Sequence, residues 1–152
     1  MKLSARERLI LALDVSNFQQ AEELVVKLTD YVGTFKIGNQ LFTAEGIKVI
    51  NMVKDKGGKV FLDLKFHDIP NTVARAAEVV NKLGVYIFDL HTSGGLEMMK
   101  AAVEASKKSS FALEVNKPLI LGVTLLTSIN QEILEKEIGI QKKSHTSLLS
   151  FG

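Results

Sequence analysis

The chain has 152 residues, 46% of them hydrophobic, which is enough for one globular core in a single domain. Its 19 Lys and Arg against 17 Asp and Glu leave a net charge of +2, which gives no reason to expect nucleic acid or an anionic membrane as partner. With no cysteine, disulfide scaffolds and thiolate metal sites are excluded, and a reducing compartment is the natural fit.

The first apolar run, Leu9 to Leu13, is too short for a signal-peptide core or a membrane span, and so is Leu119 to Leu126. A soluble, cytoplasmic protein is expected. Arg8 to Val15 reads as a first strand ending near Asp14, and Asn17 can cap a helix running to Leu28. Val32 to Gly38 is a second strand, followed by a helix from Leu41 to Lys56 that Gly57-Gly58 stops. Lys59 to Lys65 is a third strand, and after Pro70 a helix spans Asn71 to Leu83. Val85 to His91 is a fourth strand, and Gly94-Gly95 turns into a helix through Lys107. Pro118 opens a fifth strand, Leu119 to Leu126, before a last helix over Asn130 to Ile138.

Strict β-α alternation, with no hairpin dipeptide, predicts an all-parallel sheet. Open doubly wound sheets and (β/α)8 barrels both fit that rhythm. No G-x-G-x-x-G follows the first strand and no Walker sequence appears, which weakens a nucleotide-binding open sheet. Strand ends instead carry polar residues one after another: Asp14, Lys36, Asp63 with Lys65, His91 and Thr127. Barrel enzymes arrange their chemistry at the C-terminal rim in this way.

The most informative segment is Phe61-Leu-Asp-Leu-Lys-Phe-His-Asp-Ile-Pro-Asn-Thr72. Strand alternation puts Asp63 and Lys65 on one face and Leu62 and Leu64 on the other, helix-covered one. Charges on an otherwise apolar strand are costly unless paired or functional. Taken singly, Asp63 and Lys65 read as a salt bridge, and Asp68 and Asn71 as caps of the next helix. With Lys36 on the neighbouring strand, flanked by outward Phe35 and Ile37, they become a preorganised alternating array. His91 shares a face with Asp89 and reads as a hydrogen-bonded core histidine. His67 is positional, Met98-Met99 is packing, Gly94-Gly95 is a tight turn, and the scattered histidines have no metal-ligand spacing.

Leu11-Ala-Leu-Asp14, Phe35-Lys36-Ile-Gly38, Asp63-Leu-Lys65-Phe-His-Asp68-Ile-Pro-Asn-Thr72 and Val123-Thr-Leu-Leu-Thr127-Ser resemble the orotidine 5′-monophosphate decarboxylases in order and spacing. The resemblance covers residues 6 to 138 and implies a (β/α)8 TIM-barrel fold, here about five of eight units. It implies conversion of orotidine 5′-monophosphate to UMP and carbon dioxide in pyrimidine synthesis, with neither metal nor organic cofactor. Lys65 would protonate the pyrimidine C6 carbanion and Asp63 would sit beside the substrate carboxylate. Lys36 would pair with Asp63 and reach the ribose, Asp14 would bind ribose hydroxyls, and Thr127 would contact the base edge. Asp68 and Thr72 would reach across a homodimer interface into the partner's site.

Related 3-keto-gulonate-phosphate decarboxylases and hexulose-phosphate synthases share a D-x-K-x-x-D core, but require magnesium and carry an acidic residue where this chain has Lys36. A non-catalytic half-barrel is the rival from another class. The partial-barrel domain is expected over residues 1–138, with an irregular tail over 139–152. The family's phosphate-binding residues are not among these five units, so a premature stop, a frameshift or a partial chain are all open, and low activity is expected of these residues alone.

Overall fold

The computed structural model describes residues 3–140. Five strands, β1 (Ile10–Ala12), β2 (Thr34–Gly38), β3 (Lys59–Phe66), β4 (Ile87–His91) and β5 (Leu119–Val123), form one sheet in the order β1-β2-β3-β4-β5. Every neighbouring pair is parallel. Between them lie α1 (Phe18–Leu28), α2 (Asn39–Glu45), α3 (Ile47–Asp55), α4 (Pro70–Lys82) and α5 (Leu96–Ala112). Doubly wound sheets reverse their strand order at a switch point, whereas this order never reverses. The sheet is therefore an arc of a (β/α) barrel.

Alternation along the strands decides what the helices cover. Leu11, Phe35, Ile37, Val60, Leu62, Phe88 and Ile120 join one hydrophobic layer with Ala21 and Val25 of α1, Val49, Ile50 and Val53 of α3, and Ala77 and Val80 of α4. Leu90 packs in a second layer with Val73, Met98 and Ala102 of α4 and α5. Each fully buried side chain of this size contributes about 1.5–3 kcal/mol. The partner-strand register aligns Ala12, Lys36, Phe61, Ile87 and Leu119 on the other face, with Asp63 opposite Gly38 and Asp89 opposite Leu121. That face is bare at β5, where Leu119 and Leu121 are 51% and 43% exposed.

Several expected boundaries are corrected. The helix expected over Leu41 to Lys56 is two helices, broken at Gly46, whose φ of 63° and ψ of −149° suit only glycine. β1 and β5 are shorter than the apolar runs that announced them, because pairing ends before hydrophobicity does. α5 runs past Lys107 to Ala112. The last helix shrinks to a π-helical turn, Ile133–Glu137, whose Ile133 N–H is held by Asn130 Oδ1 at 2.9 Å. Asn17 does cap α1, its Oδ1 accepting from the Gln20 N–H at 3.0 Å. From residue 141 on, the expected tail lies outside the described residues. Among the described residues no helix is long and apolar enough to cross a membrane.

Candidate active site at the C-terminal rim

β1, β2 and β3 deliver a continuous chain of charge to the ends of the sheet. Lys36 Nζ lies 3.1 Å from Asp63 Oδ2 and 3.6 Å from Asp14 Oδ1. Lys65 Nζ donates to the other Asp63 oxygen, Oδ1. Asp63 thus holds one ammonium on each oxygen, and signs alternate from Asp14 to Lys36, Asp63 and Lys65. The four line a cavity of about 180 Å³ together with Leu13, Gly38 and Leu41. A larger hollow of about 720 Å³, lined by Gly57, Lys59, Tyr86 and Pro118, lies at the opposite ends of the strands. Barrel chemistry belongs to the C-terminal ends, and there the smaller cavity holds the array.

Asp63 is 9% exposed. Burial alone would raise its pKa, but hydrogen bonds with Lys65, Asp89 and Lys36 outweigh burial and hold it below the ordinary carboxylate range. It stays a carboxylate between two ammonium groups. Partly buried pairs of this kind are screened far less than surface ion pairs.

The array was expected from simple alternation at Asp63 and Lys65, and that explanation is corrected. Lys65 has φ +51°, the left-handed region that a side chain rarely adopts. Leu62 pairs with Phe88 but Phe66 with Leu90, so the register slips between them. Lys65 meets Asp63 through a bulge and a left-handed residue, not through a regular strand.

Other expected residues fall at different places. Asp68 is exposed and its Oδ1 accepts from the Ile69 N–H at 2.6 Å. It does not cap α4, which starts with Pro70 and has no side-chain cap. Thr72 is exposed in the first turn of α4, and Thr127 is exposed in a turn beyond β5. Among the described residues neither Asp68, Thr72 nor Thr127 is bonded to the charged array. His91, expected to be hydrogen-bonded in the core, is half-buried, with its ring 5.4 Å from that of His67. Burial, with the charges of His67 and Lys65, pushes its pKa down. Gly94-Gly95 is the turn expected: Gly95 has φ +87°, and a Cβ on Gly94 would collide with Met98.

Sequence reasoning passed over Asp89. It is 3% exposed, and its Oδ1 accepts the Lys65 backbone N–H at 2.8 Å. Burial and the hydrogen bond to Asp63 raise its pKa to about 6. The signal was present: a lone charge in the apolar run Ile87-Phe88-Asp89-Leu90, the same pattern that marked Asp63. Among the described residues no group of three or more His, Asp or Glu side chains could hold a metal ion.

An arc of (β/α) barrel with an alternating lysine-carboxylate array on its C-terminal rim defines the class. The chain belongs to the orotidine 5′-phosphate decarboxylase / HUMPS family, whose model matches residues 7–150. It is 51% identical over 139 residues to the orotidine 5′-phosphate decarboxylase of Syntrophomonas wolfei, covering 91% of this chain and 58% of that protein. To the enzyme of that name from Moorella thermoacetica it is 45% identical over 143 residues, covering 94% of this chain and 57% of the other. The crystal structure of orotidine 5′-phosphate decarboxylase from Lactobacillus acidophilus superposes with a TM-score of 0.79 at 38% identity, over 88% of this chain and 59% of that one. The chain therefore spans somewhat over half the length of the curated relatives it matches.

Proposed function

We propose that these residues carry the catalytic half of an orotidine 5′-monophosphate decarboxylase. The observation that carries the reading is the chain Asp14–Lys36–Asp63–Lys65, in which Asp63 binds both ammonium groups. In decarboxylation the bond between C6 of the pyrimidine and its carboxylate breaks, and the electron pair stays on C6. The Lys65 ammonium gives that carbon its proton, UMP and carbon dioxide leave, and solvent reprotonates the lysine. Negative charge moves from the carboxylate to C6, so a cation fixed at C6 interacts more strongly in the transition state than with bound substrate.

Asp63 takes the place beside the substrate carboxylate, where like-charge repulsion is relieved as carbon dioxide departs. Lys36 and Asp14 face the ribose hydroxyls and Thr127 the base edge. Asp68 and Thr72 stand outside the array, which fits a role in a partner subunit's site within a homodimer. A lysine at position 36, ion-paired to Asp63, favours this reaction over the magnesium-dependent sugar-phosphate chemistry of the same superfamily.

The test is turnover of orotidine 5′-monophosphate by the complete barrel, with these residues continued by the C-terminal length that full relatives carry. Absence of turnover in a folded complete barrel would overturn the reading. Mixing inactive Lys65→Ala and Asp68→Ala proteins is expected to restore activity, since one site of each heterodimer regains both groups. No recovery after demonstrated subunit exchange would mean that Asp68 acts within its own chain.

The exposed Leu119, Leu121, Leu125 and Leu126 favour a second reading for a chain bounded at residues 1 and 152. Such a chain is a half-barrel that associates through this apolar face and turns over near background.

A further inference from the structure

Lys65 is in a backbone conformation that is unfavourable for any residue but glycine, so something around it must hold it there. The register shows what does. Between the Leu62–Phe88 and Phe66–Leu90 pairs, Asp63, Leu64 and Lys65 of β3 face the single residue Asp89 of β4. The Asp89 side chain takes the Lys65 N–H, at 2.8 Å.

We propose that Asp89 is a positioning residue for Lys65: its buried carboxyl clamps the Lys65 backbone in the left-handed turn that seats the ammonium on Asp63. This rests on the reading of Lys65 as proton donor. Asp89 is 3% exposed on a strand that is otherwise apolar from Ile87 to Leu90, where a buried carboxyl without partners would be strongly disfavoured. Its partners are the two residues at the centre of the array: the Lys65 N–H and the Asp63 side chain. The charged groups facing it are Asp63 and Lys65. With its pKa raised to about 6 by burial and by Asp63, Asp89 can hold a proton while Oδ1 still accepts from the Lys65 N–H. An asparagine has the same two capacities, an oxygen for the Lys65 N–H and an N–H for Asp63.

The test uses Asp89→Ala and Asp89→Asn in the complete barrel, with two readouts. Hydrogen exchange of the Lys65 amide reads the clamp without reference to activity. It is expected to speed up about tenfold or more in Asp89→Ala, as a lost buried hydrogen bond implies, and to stay protected in Asp89→Asn. In kinetics, misplacing the proton donor should lower kcat of Asp89→Ala by about a hundredfold. KM and UMP affinity should stay within about threefold, since only a transition-state interaction is lost. Asp89→Asn should recover most of the lost rate.

Unchanged amide exchange in Asp89→Ala would overturn the proposal. So would an unchanged kcat, an Asparagine variant as slow as the alanine one, or parallel loss of UMP binding, which would reduce Asp89 to a folding role. If the wild-type barrel does not decarboxylate at all, the functional reading fails by itself. The exchange measurement then still decides whether Asp89 holds Lys65.

Discussion

The two faces of the sheet are built from alternate residues of the same strands, and they carry opposite burdens. On the helix-covered face Phe35, Ile37 and Phe88 have no exposed surface, and each is in contact with a continuous apolar layer. One residue along the chain from Phe35 and Ile37, Lys36 is half-exposed in an ion-pair array, and at β5 the same face leaves Leu119 and Leu121 uncovered. The difference teaches that stability and chemistry are separable here by a one-residue step. Burial on one face supplies the rigidity against which the other can hold like and unlike charges at fixed separation.

Removing the ammonium should break the comparison most visibly in rate. Lys65→Ala in the complete barrel is expected to cut turnover by about a thousandfold or more, as loss of a positioned acid does, with UMP affinity little changed. Retention of a tenth of kcat, about 1.4 kcal/mol of barrier, would rule Lys65 out as proton donor. Unfolding of this variant should occur close to the wild-type denaturant midpoint, because Lys65 belongs to the chemical face.

The converse test is on stability. Phe35→Ala should cost about 3–5 kcal/mol in urea unfolding, as deletion of a fully buried aromatic does. Leu121→Ala, on the open face, should stay within about 0.5 kcal/mol in the chain of 152 residues. An equal cost for the two would mean that the bare face is packed in solution, as in an associated half-barrel.

The smallest effect is on pH dependence. Asp89 has its pKa raised from the model-peptide value of 3.8 to about 6. Between those values the folded chain keeps a proton that the unfolded chain has released, so this group's contribution is complete below about pH 4 and lost as pH rises through 6. Asp63, held low, acts in the opposite sense: its contribution is present above the unfolded pKa and is lost as pH falls through the folded one. Asp89→Asn removes only the first contribution. Its stability relative to wild type should therefore rise between pH 4 and 6, by about 3 kcal/mol at most, and level off above. A difference that does not vary with pH in urea titrations would show that Asp89 titrates normally.

Much of this was legible from the residues. Period-two alternation at Phe35-Lys36-Ile37 assigned both faces of β2 correctly, because in a strand the side of a residue follows from its position alone. Asn17 was readable as a cap because its side chain bonds a backbone group only three residues away. Sequence order also placed Asp14, Lys36, Asp63 and Lys65 at successive strand ends. Other features depended on partners distant in the chain. Gly46 could have continued one helix, and only the folded backbone, with its positive φ there, shows the break between α2 and α3. Asp89 was discounted as a neighbour of His91, since nothing within β4 reveals that its oxygen would meet a backbone N–H 24 residues earlier.

The amino-acid sequence by itself determined the β-α rhythm, the face each strand residue occupies and the presence of an alternating charge set at one end of the sheet. Those follow from local geometry and from the expense of placing charge on an apolar strand. Only the tertiary structure decided that the sheet is an arc of barrel, that Lys65 reaches Asp63 through a left-handed bulge, and that Asp89 holds it there. Strand order, register and backbone strain are properties of pairs of strands, and one strand read alone does not contain them.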